Sequence, residues 1–340
     1  MRFADGDTPG NALGDMVCGQ RLAGSGGAKY DIVMQHADRP LLGIALMLGF
    51  CLLAPLGDAL AKLLGGQVPL SQLVFFRFAI QAAILLPIVR FSARTLRMSR
   101  RAFGFTVIRT VLHTLGISMM FLSLRFLPLA DAVAIAFVMP FLLLLLGWAF
   151  LGEEIGSRRL TACAVGFVGT CMVIQPSFVA VGWAALLPLG VAVNFSFFML
   201  VTRAMRADVD PVSMQAMSGL LGTLLLAPLL LVADGSLWEE FNTITPAPAT
   251  WGLILAMGGV GTMAHLVMTW SLRYAPTTTL APMQYLEIPF STLVGWLVFK
   301  DFPNGLALGG IGVTIAAGLY IIWREQRLGR QSQRPAPPAA

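Results

Sequence analysis

Glu287 is the residue of this chain whose type is hardest to reconcile with its surroundings. It stands in a long apolar stretch between Pro282 and Pro289, with Gln284 three residues before it and Ser291 four after. On a helix those spacings put the three polar groups on one face. Each proline withholds a backbone donor and frees an upstream carbonyl, so the helix carrying Glu287 is expected to kink or unwind there. A carboxyl so placed can bind a solute or carry a proton; the bland alternative is a structural acid bonded to a neighbouring helix. Other polar groups are set into apolar runs in the same way. His265 shares a stripe with Thr262 and Thr269, and Arg109 and His113 lie one turn apart. Both stripes suit a cavity for an anionic or aromatic polar solute, although a packing histidine fits each position equally well. Asn194, beside Phe195, Phe197 and Phe198, offers a hydrogen bond next to an aromatic wall, and Trp270 and Tyr285 add stacking surface. Arg77 is expected near one end of its helix as a snorkelling or ion-paired structural charge. Asp58 and Lys62, four apart, are expected to neutralise each other, with gating as the lesser reading. Pro140, Pro282 and Pro289 are the candidate hinges.

The elements that position these groups follow from composition. Of 340 residues, 57% are hydrophobic and 12% charged, against roughly 25% charged in a soluble domain. The mean hydropathy is +0.78. A soluble fold of this size would leave much of that apolar surface in water, and a bilayer removes the difficulty. The formal charge of +6 does not argue for nucleic acid, because the basic residues fall in short clusters between apolar runs, as membrane topology requires. Cys18, Cys51, Cys163 and Cys171 lack metal-ligand spacing and read as packing residues. No cofactor or metal site is expected.

A spanning helix needs about 20 apolar residues. That ruler predicts ten spans, near 41–62, 71–90, 104–125, 129–151, 160–178, 182–203, 212–233, 251–272, 277–299 and 304–323. With the N-terminus placed inside, the inside segments carry nearly all the Lys and Arg, while the outside segments hold only Lys62, Arg125 and Lys300. Both termini are therefore expected in the cytoplasm of a bacterial cell, with the spans in its inner membrane. Residues 1–40 lack the apolar core of a secretory signal and read as a disordered cytoplasmic segment, with Met34 a candidate translation start. Residues 324–340 read as a disordered cytoplasmic tail.

The spans repeat. Ser123-Leu124-Arg125-Phe126-Leu127-Pro128 returns as Ser271-Leu272-Arg273-Tyr274-Ala275-Pro276, 148 residues later, and Gly147-Trp148 returns as Gly295-Trp296 at the same offset. Pro69-x-Ser71 resembles Pro211-x-Ser213 at a slightly smaller one. The fold expected is an all-α integral membrane protein of ten transmembrane helices in two five-helix repeats, 41–178 and 182–323. Five is odd, so equivalent helices cross in opposite senses, which is the common plan of secondary transporters.

Each half resembles the five-helix unit of the drug/metabolite transporter superfamily, of the type called EamA. The resemblance rests on Arg77 within Phe75-Phe76-Arg77-Phe78, on Pro140 followed by Gly152-Glu153-Glu154, and on Pro289 followed by Lys300-Asp301, with Gly310 and Gly318 in the last helix. It spans about 41–176 and 182–322. It implies a substrate cavity lined by helices one, three, four, six, eight and nine, and solutes such as amino acids and their derivatives, S-adenosylmethionine or riboflavin. The second half departs from the pattern, with Gly219 or a neighbour where Arg77 would recur.

Gly259-x-Gly261-x-x-Ala264 fits a dinucleotide fingerprint by letter, but it lies in an apolar span with no strand before it, so helix packing is the better reading. No Walker sequence, HExxH or Ser/His/Asp spacing occurs. The expected function is secondary active transport of a small organic metabolite by alternating access, with protons as the leading coupling ion. The alternatives are an intramembrane lipid-modifying enzyme and a non-transporting sensor or scaffold.

Overall fold

The computed structural model describes residues 40–92, 94–139, 141–142, 145–146, 157–205, 209–233, 239–274, 280 and 284–332. The expectations for 1–39 and 333–340 lie outside these residues. Among the described residues there are ten α-helical segments. In the first half they are α1 (Pro40–Leu64), α2 (Leu70–Phe91), α3 (Arg100–Ser123), α4 (Leu129–Ala136) and α5 (Ser157–Val181). In the second they are α6 (Leu187–Ala204), α7 (Pro211–Ala233), α8 (Pro248–Tyr274), α9 (Glu287–Val294) and α10 (Gly305–Ser332). Among the described residues six stretches are long and apolar enough to cross a membrane, and one of them, Ala164–Thr202, takes in most of both α5 and α6. Glu287–Phe299 and Gly305–Ala317 are shorter apolar helices.

Apolar runs become helices because each backbone donor then finds its acceptor within the segment, which an oily surrounding demands. Local chemistry sets the ends. Pro40, Pro211 and Pro248 occupy first helical positions, where the missing N–H costs nothing. Ser99 caps α3 by accepting from the Ala102 amide at 3.1 Å. Gly182, at φ +65°, turns the chain between α5 and the short 3-10 segment Gly182–Leu186, in a backbone region costly to a side chain. α9 closes on a π turn, Gly295–Phe299, ended by the left-handed Lys300. α10 continues past 323 to Ser332. The run Glu325-Gln326-Arg327-Leu328 consists of strong helix formers, which a hydropathy ruler does not score.

The packing reflects the repeat. α1 runs along α8, while α6, its counterpart, runs along α3, the counterpart of α8. α2 packs on its own counterpart α7, α4 on α9 and α5 on α10. One exchanged pair and three self-pairs are what a pseudo-two-fold relation between halves produces. The usual sorting of polarity is also reversed. Arg109, Gln81 and Ser218 are wholly buried, while Leu231, Val232 and Trp183 are exposed, as a lipid surrounding allows.

Charged residues latch the two ends of the bundle. At one end the Lys62 ammonium donates to the Leu127 carbonyl at 2.9 Å and to Asp301 at 3.1 Å. There too Arg125 pairs with Glu240, whose carboxylate also accepts from the Leu70 amide at the start of α2. At the other end Arg94 donates to both oxygens of Asp210, at 2.6 and 2.7 Å, with Arg273 3.9 Å away. Asp210 also caps α7 by accepting from the Val212 and Ser213 amides. Partial burial works against its charge, but the Arg94 bond and the two amides outweigh it and hold the carboxyl below the usual range. Its contribution is therefore complete above the unfolded carboxyl value of about 3.9 and is lost as pH falls through the lower folded value. Asp210→Ala is expected to cost about 1 kcal/mol of stability at neutral pH. The melting difference between the variant and the parent should hold from pH 8 to 5 and close below about pH 4. A difference that does not change with pH would show that the carboxylate charge contributes nothing.

Candidate functional site

A cavity of about 150 Å3 lies between the two sets of five helices. Its walls come from α1, α2, α3 and α4 of the first half and α6, α8 and α9 of the second. Against the helices named by the family resemblance, α2 is the addition, through Arg77. Phe50, Phe137 and Phe195 give the wall aromatic surface. The chain turns at Tyr285–Leu286 and α9 begins at Glu287, so the helix is interrupted one residue before the acid that lines the cavity. The offset of 148 relating the halves carries Glu287 to Met139, which also lines it.

Seven side chains chosen from the sequence converge on this cavity: Asp58, Arg77, His113, Asn194, His265, Gln284 and Glu287. The His113 and His265 Nε2 atoms are 3.3 Å apart. One must donate and the other accept, so the bonded pair holds at most one extra proton. Asn194 donates its amide to the Leu112 carbonyl at 2.6 Å, and Gly116 makes room for it.

Arg77 is not near a helix end. It is the eighth residue of α2, 2% exposed, on the cavity wall. Its Nη1 donates to Gln81 at 2.9 Å and to Thr262 at 3.4 Å, while Nη2 is buried with no partner among the described residues. Gly261 explains how a guanidinium fits at this depth. A Cβ there would stand 2.3 Å from Arg77 Nε, so only glycine leaves the slot. Gln81 in turn donates to Gln215, which donates to Thr269 and to the His265 carbonyl, joining α2, α7 and α8. Gln81 and Gln215 were missed from the sequence. The signal for Gln81 was its place one turn after Arg77; nothing local marks Gln215.

Asp58 and Lys62 do not pair either. Asp58 faces the cavity and Lys62 bonds Leu127 and Asp301, because α4 and the segment after α9 bring better partners to the end of α1. Arg109 sits behind the wall, wholly buried. It donates to Thr202 at 3.0 Å and Ser218 at 2.9 Å and lies 4.5 Å from the centre of the Phe198 ring, tying α3 to α6 and α7. Trp270 packs with Leu85, Val89 and Val212, and Tyr285 is buried against Phe137; neither lines the cavity. Of the hinge prolines, Pro289 is exposed on α9, and Pro140 and Pro282 lie outside the described residues. No three His, Cys, Asp or Glu side chains among the described residues group as metal ligands do.

Comparison with known proteins assigns this architecture. The model of the EamA-like transporter family matches residues 41–175 and 182–324. The chain belongs to that family. Its matched relatives are transporters, not enzymes, and it is accordingly a multi-pass membrane transporter. A riboflavin transporter of Rhizobium johnstonii is 30% identical over 223 residues, 66% of this chain and 71% of the relative. An S-adenosylmethionine uptake transporter of Rickettsia bellii is 25% identical and covers 84% of this chain and 95% of its own. A pseudopaline exporter of Pseudomonas aeruginosa is 27% identical, covering 79% and 92%. A protein crystal structure aligns with a TM-score of 0.58 at 19% identity, over 85% of this chain and 97% of the other, and shares the fold.

Proposed function

We propose that this EamA-family chain is a secondary active transporter that carries a small organic metabolite across the bacterial inner membrane by alternating access. Ten helices span the bilayer as two inverted five-helix repeats, with both termini in the cytoplasm, and the solute sits between the halves. The observation that supports this most is the cavity itself. Both halves wall it, polar groups concentrate in it, and the bundle around it is apolar outside and charge-latched at each end. Rocking one half against the other about such a site exposes it to each side in turn.

Glu287 is the proposed coupling group. It lines the cavity and makes no salt bridge with another described residue, which leaves its carboxyl to exchange a proton as the cavity opens and closes. The test uses protein in sealed vesicles, with labelled riboflavin and labelled S-adenosylmethionine as probes and a proton gradient imposed. One probe should accumulate when the gradient is applied. Glu287→Gln is expected to abolish that accumulation while exchange of probe without a gradient survives. Gradient-driven accumulation that persists in the variant would remove the coupling role, and flux of neither probe would remove both named solutes.

A further inference from the structure

We propose that the segment joining α2 to α3, together with the adjoining ends of both helices, is a docking surface for the headgroups of anionic phospholipids. The proposal concerns the bilayer and holds whichever solute the cavity takes. Three observations carry it. The first is unshared positive charge. Arg90, Arg94, Arg97, Arg100 and Arg101 crowd the stretch 90–101, and no Asp or Glu occurs anywhere between Asp58 and Asp131. All five arginines are exposed. Arg94 reaches across to Asp210, but Arg90, Arg97 and Arg100 make no salt bridge among the described residues. Arg100 and Arg101 also open α3, where the helix dipole disfavours cations, so these charges do not serve the helix. A layer of phosphates answers them.

The second observation is where the charge stands. Along α2 an exposed apolar stripe of Ile84, Ile88 and Phe91 runs up to the segment, with Phe91 86% exposed. Along α3 a matching stripe of Phe103, Val107 and Val111 begins just after it. The arginines therefore lie where the apolar surface ends, which in a bilayer is the level of the headgroups. From there a guanidinium reaches lipid phosphates while its stem covers apolar surface, and its fork matches two phosphate oxygens at once. Arg101 already lies this way, with its guanidinium 5.8 Å from the centre of the Phe105 ring.

The third is that the segment is held in shape. Leu96 packs against the cluster of Leu85, Val89 and Val212, and Met98 against that of Ala102 and Met214. Arg94 clamps Asp210 through both carboxylate oxygens, and the Ser99 cap fixes the entry to α3. With Leu96 and Met98 turned inward, Arg97 between them is turned out. Backbone anchored in this way leaves little to be ordered when a headgroup binds.

The test is the thermal midpoint of the purified full-length protein in a neutral detergent, with dioleoyl-phosphatidylglycerol or dioleoyl-phosphatidylcholine added at equal mole fraction. A ligand of the native state raises the midpoint. Phosphatidylglycerol is expected to raise it several degrees above phosphatidylcholine at low salt, and the difference should shrink at about 0.5 M salt through screening. Each arginine near an anionic surface contributes roughly fivefold in affinity. The double variant Arg97→Gln, Arg100→Gln should therefore bind the anionic lipid about 25-fold more weakly and lose most of the difference. Both sites are exposed, so the variant is expected to fold, and its midpoint in phosphatidylcholine should match the parent's. Lys300→Asn, which removes a cation beside Asp301 at the opposite end of the bundle, should keep the full difference. Equal shifts with the two lipids would overturn the proposal, as would an undiminished difference in the double variant or the same loss in Lys300→Asn. Glycerol 3-phosphate added alone tests the source of the phosphate: a rise as large as that with phosphatidylglycerol would overturn the lipid assignment.

Discussion

Alanine at Gly310 should lower the melting temperature of this protein, whereas alanine at Gly312, two residues further along the same helix, should leave it unchanged or raise it. The contrast isolates tertiary packing from helix propensity. Replacing a mid-helix glycine by alanine gains up to about 1 kcal/mol of intrinsic helix stability, and both sites share that gain. At Gly312 the new methyl meets nothing within 4 Å. At Gly310 it would stand 2.5 Å from the Gly169 carbonyl oxygen and 2.9 Å from the Met172 Cβ and Val173 Cγ2 atoms. Two of those atoms are backbone or fixed to it, so α5 and α10 must separate along the length over which they pack. Overpacking of this kind costs about 1–3 kcal/mol, and separation also forfeits the close contact on which helix pairs in lipid depend. The cost exceeds the gain. Gly169→Ala should behave like Gly310→Ala, because its methyl would meet the Gly310 carbonyl oxygen at 2.9 Å and Thr314 Oγ1 at 2.7 Å. Midpoints in one detergent at one scan rate suffice. Equal midpoints for the Gly310 and Gly312 variants would show that this crossing is not tight.

Gly261→Ala is expected to weaken the half-saturation of transport at least tenfold in a protein that still folds, and Gly259→Ala to be harmless. The two glycines sit on the same turn of α8. A Cβ on Gly259 meets nothing within 4 Å, while one on Gly261 would stand 2.3 Å from Arg77 Nε, 2.8 Å from Cζ and 2.9 Å from Nη2. Here the obstacle is the end of a flexible side chain, so the helices need not part. The guanidinium moves instead, and with it the donors that bond Gln81 and Thr262. Losing a charge-assisted hydrogen bond to a solute is worth about 1.5–3 kcal/mol, which is roughly a tenfold to hundredfold weaker half-saturation. The measurement is concentration-dependent uptake into vesicles of whichever labelled probe, riboflavin or S-adenosylmethionine, the parent accumulates, beside a melting curve for each variant. Uptake by Gly261→Ala equal to that of the parent would mean that Arg77 can leave its slot without consequence, and would remove it from the site.

Both experiments concern glycines, and neither glycine's role is visible in the chain alone. Gly259 and Gly261 carry the same letter two positions apart in one apolar run. Which of them faces a guanidinium depends on how α8 is rotated against α1 and α2, and rotation is decided by all the contacts along the helix together. Arg77 illustrates the same limit. An arginine early in a predicted span looks like a snorkelling residue because side-chain length permits that, and only the slot at Gly261 reveals that it stays inside. Asp58 and Lys62 are neighbours on one helix turn, as their spacing requires. Yet the Lys62 ammonium bonds Leu127 and Asp301, 65 and 239 positions away in the chain.

What the sequence determined by itself was everything governed by local periodicity and by the solvent. Apolar runs long enough to cross a bilayer specify helices, because no other backbone arrangement satisfies its own hydrogen bonds in oil. The recurrence of Ser-Leu-Arg and Gly-Trp at an offset of 148 marks the duplication, and together with the family pattern it identifies a transporter. Polar residues stranded in those runs, Glu287 and His265 among them, stood out because each is expensive there. Tertiary structure alone decided which of them share a space. Asp58, Arg77, His113, Asn194, His265 and Glu287 come from six helices and, with Gln284 just before α9, meet at one cavity, while Arg109, on the same stripe as His113, turns away to Thr202 and Ser218. Helix-to-helix partners are chosen by shape and by close approach at single glycines, and those choices couple residues more than a hundred positions apart, beyond the reach of any spacing rule.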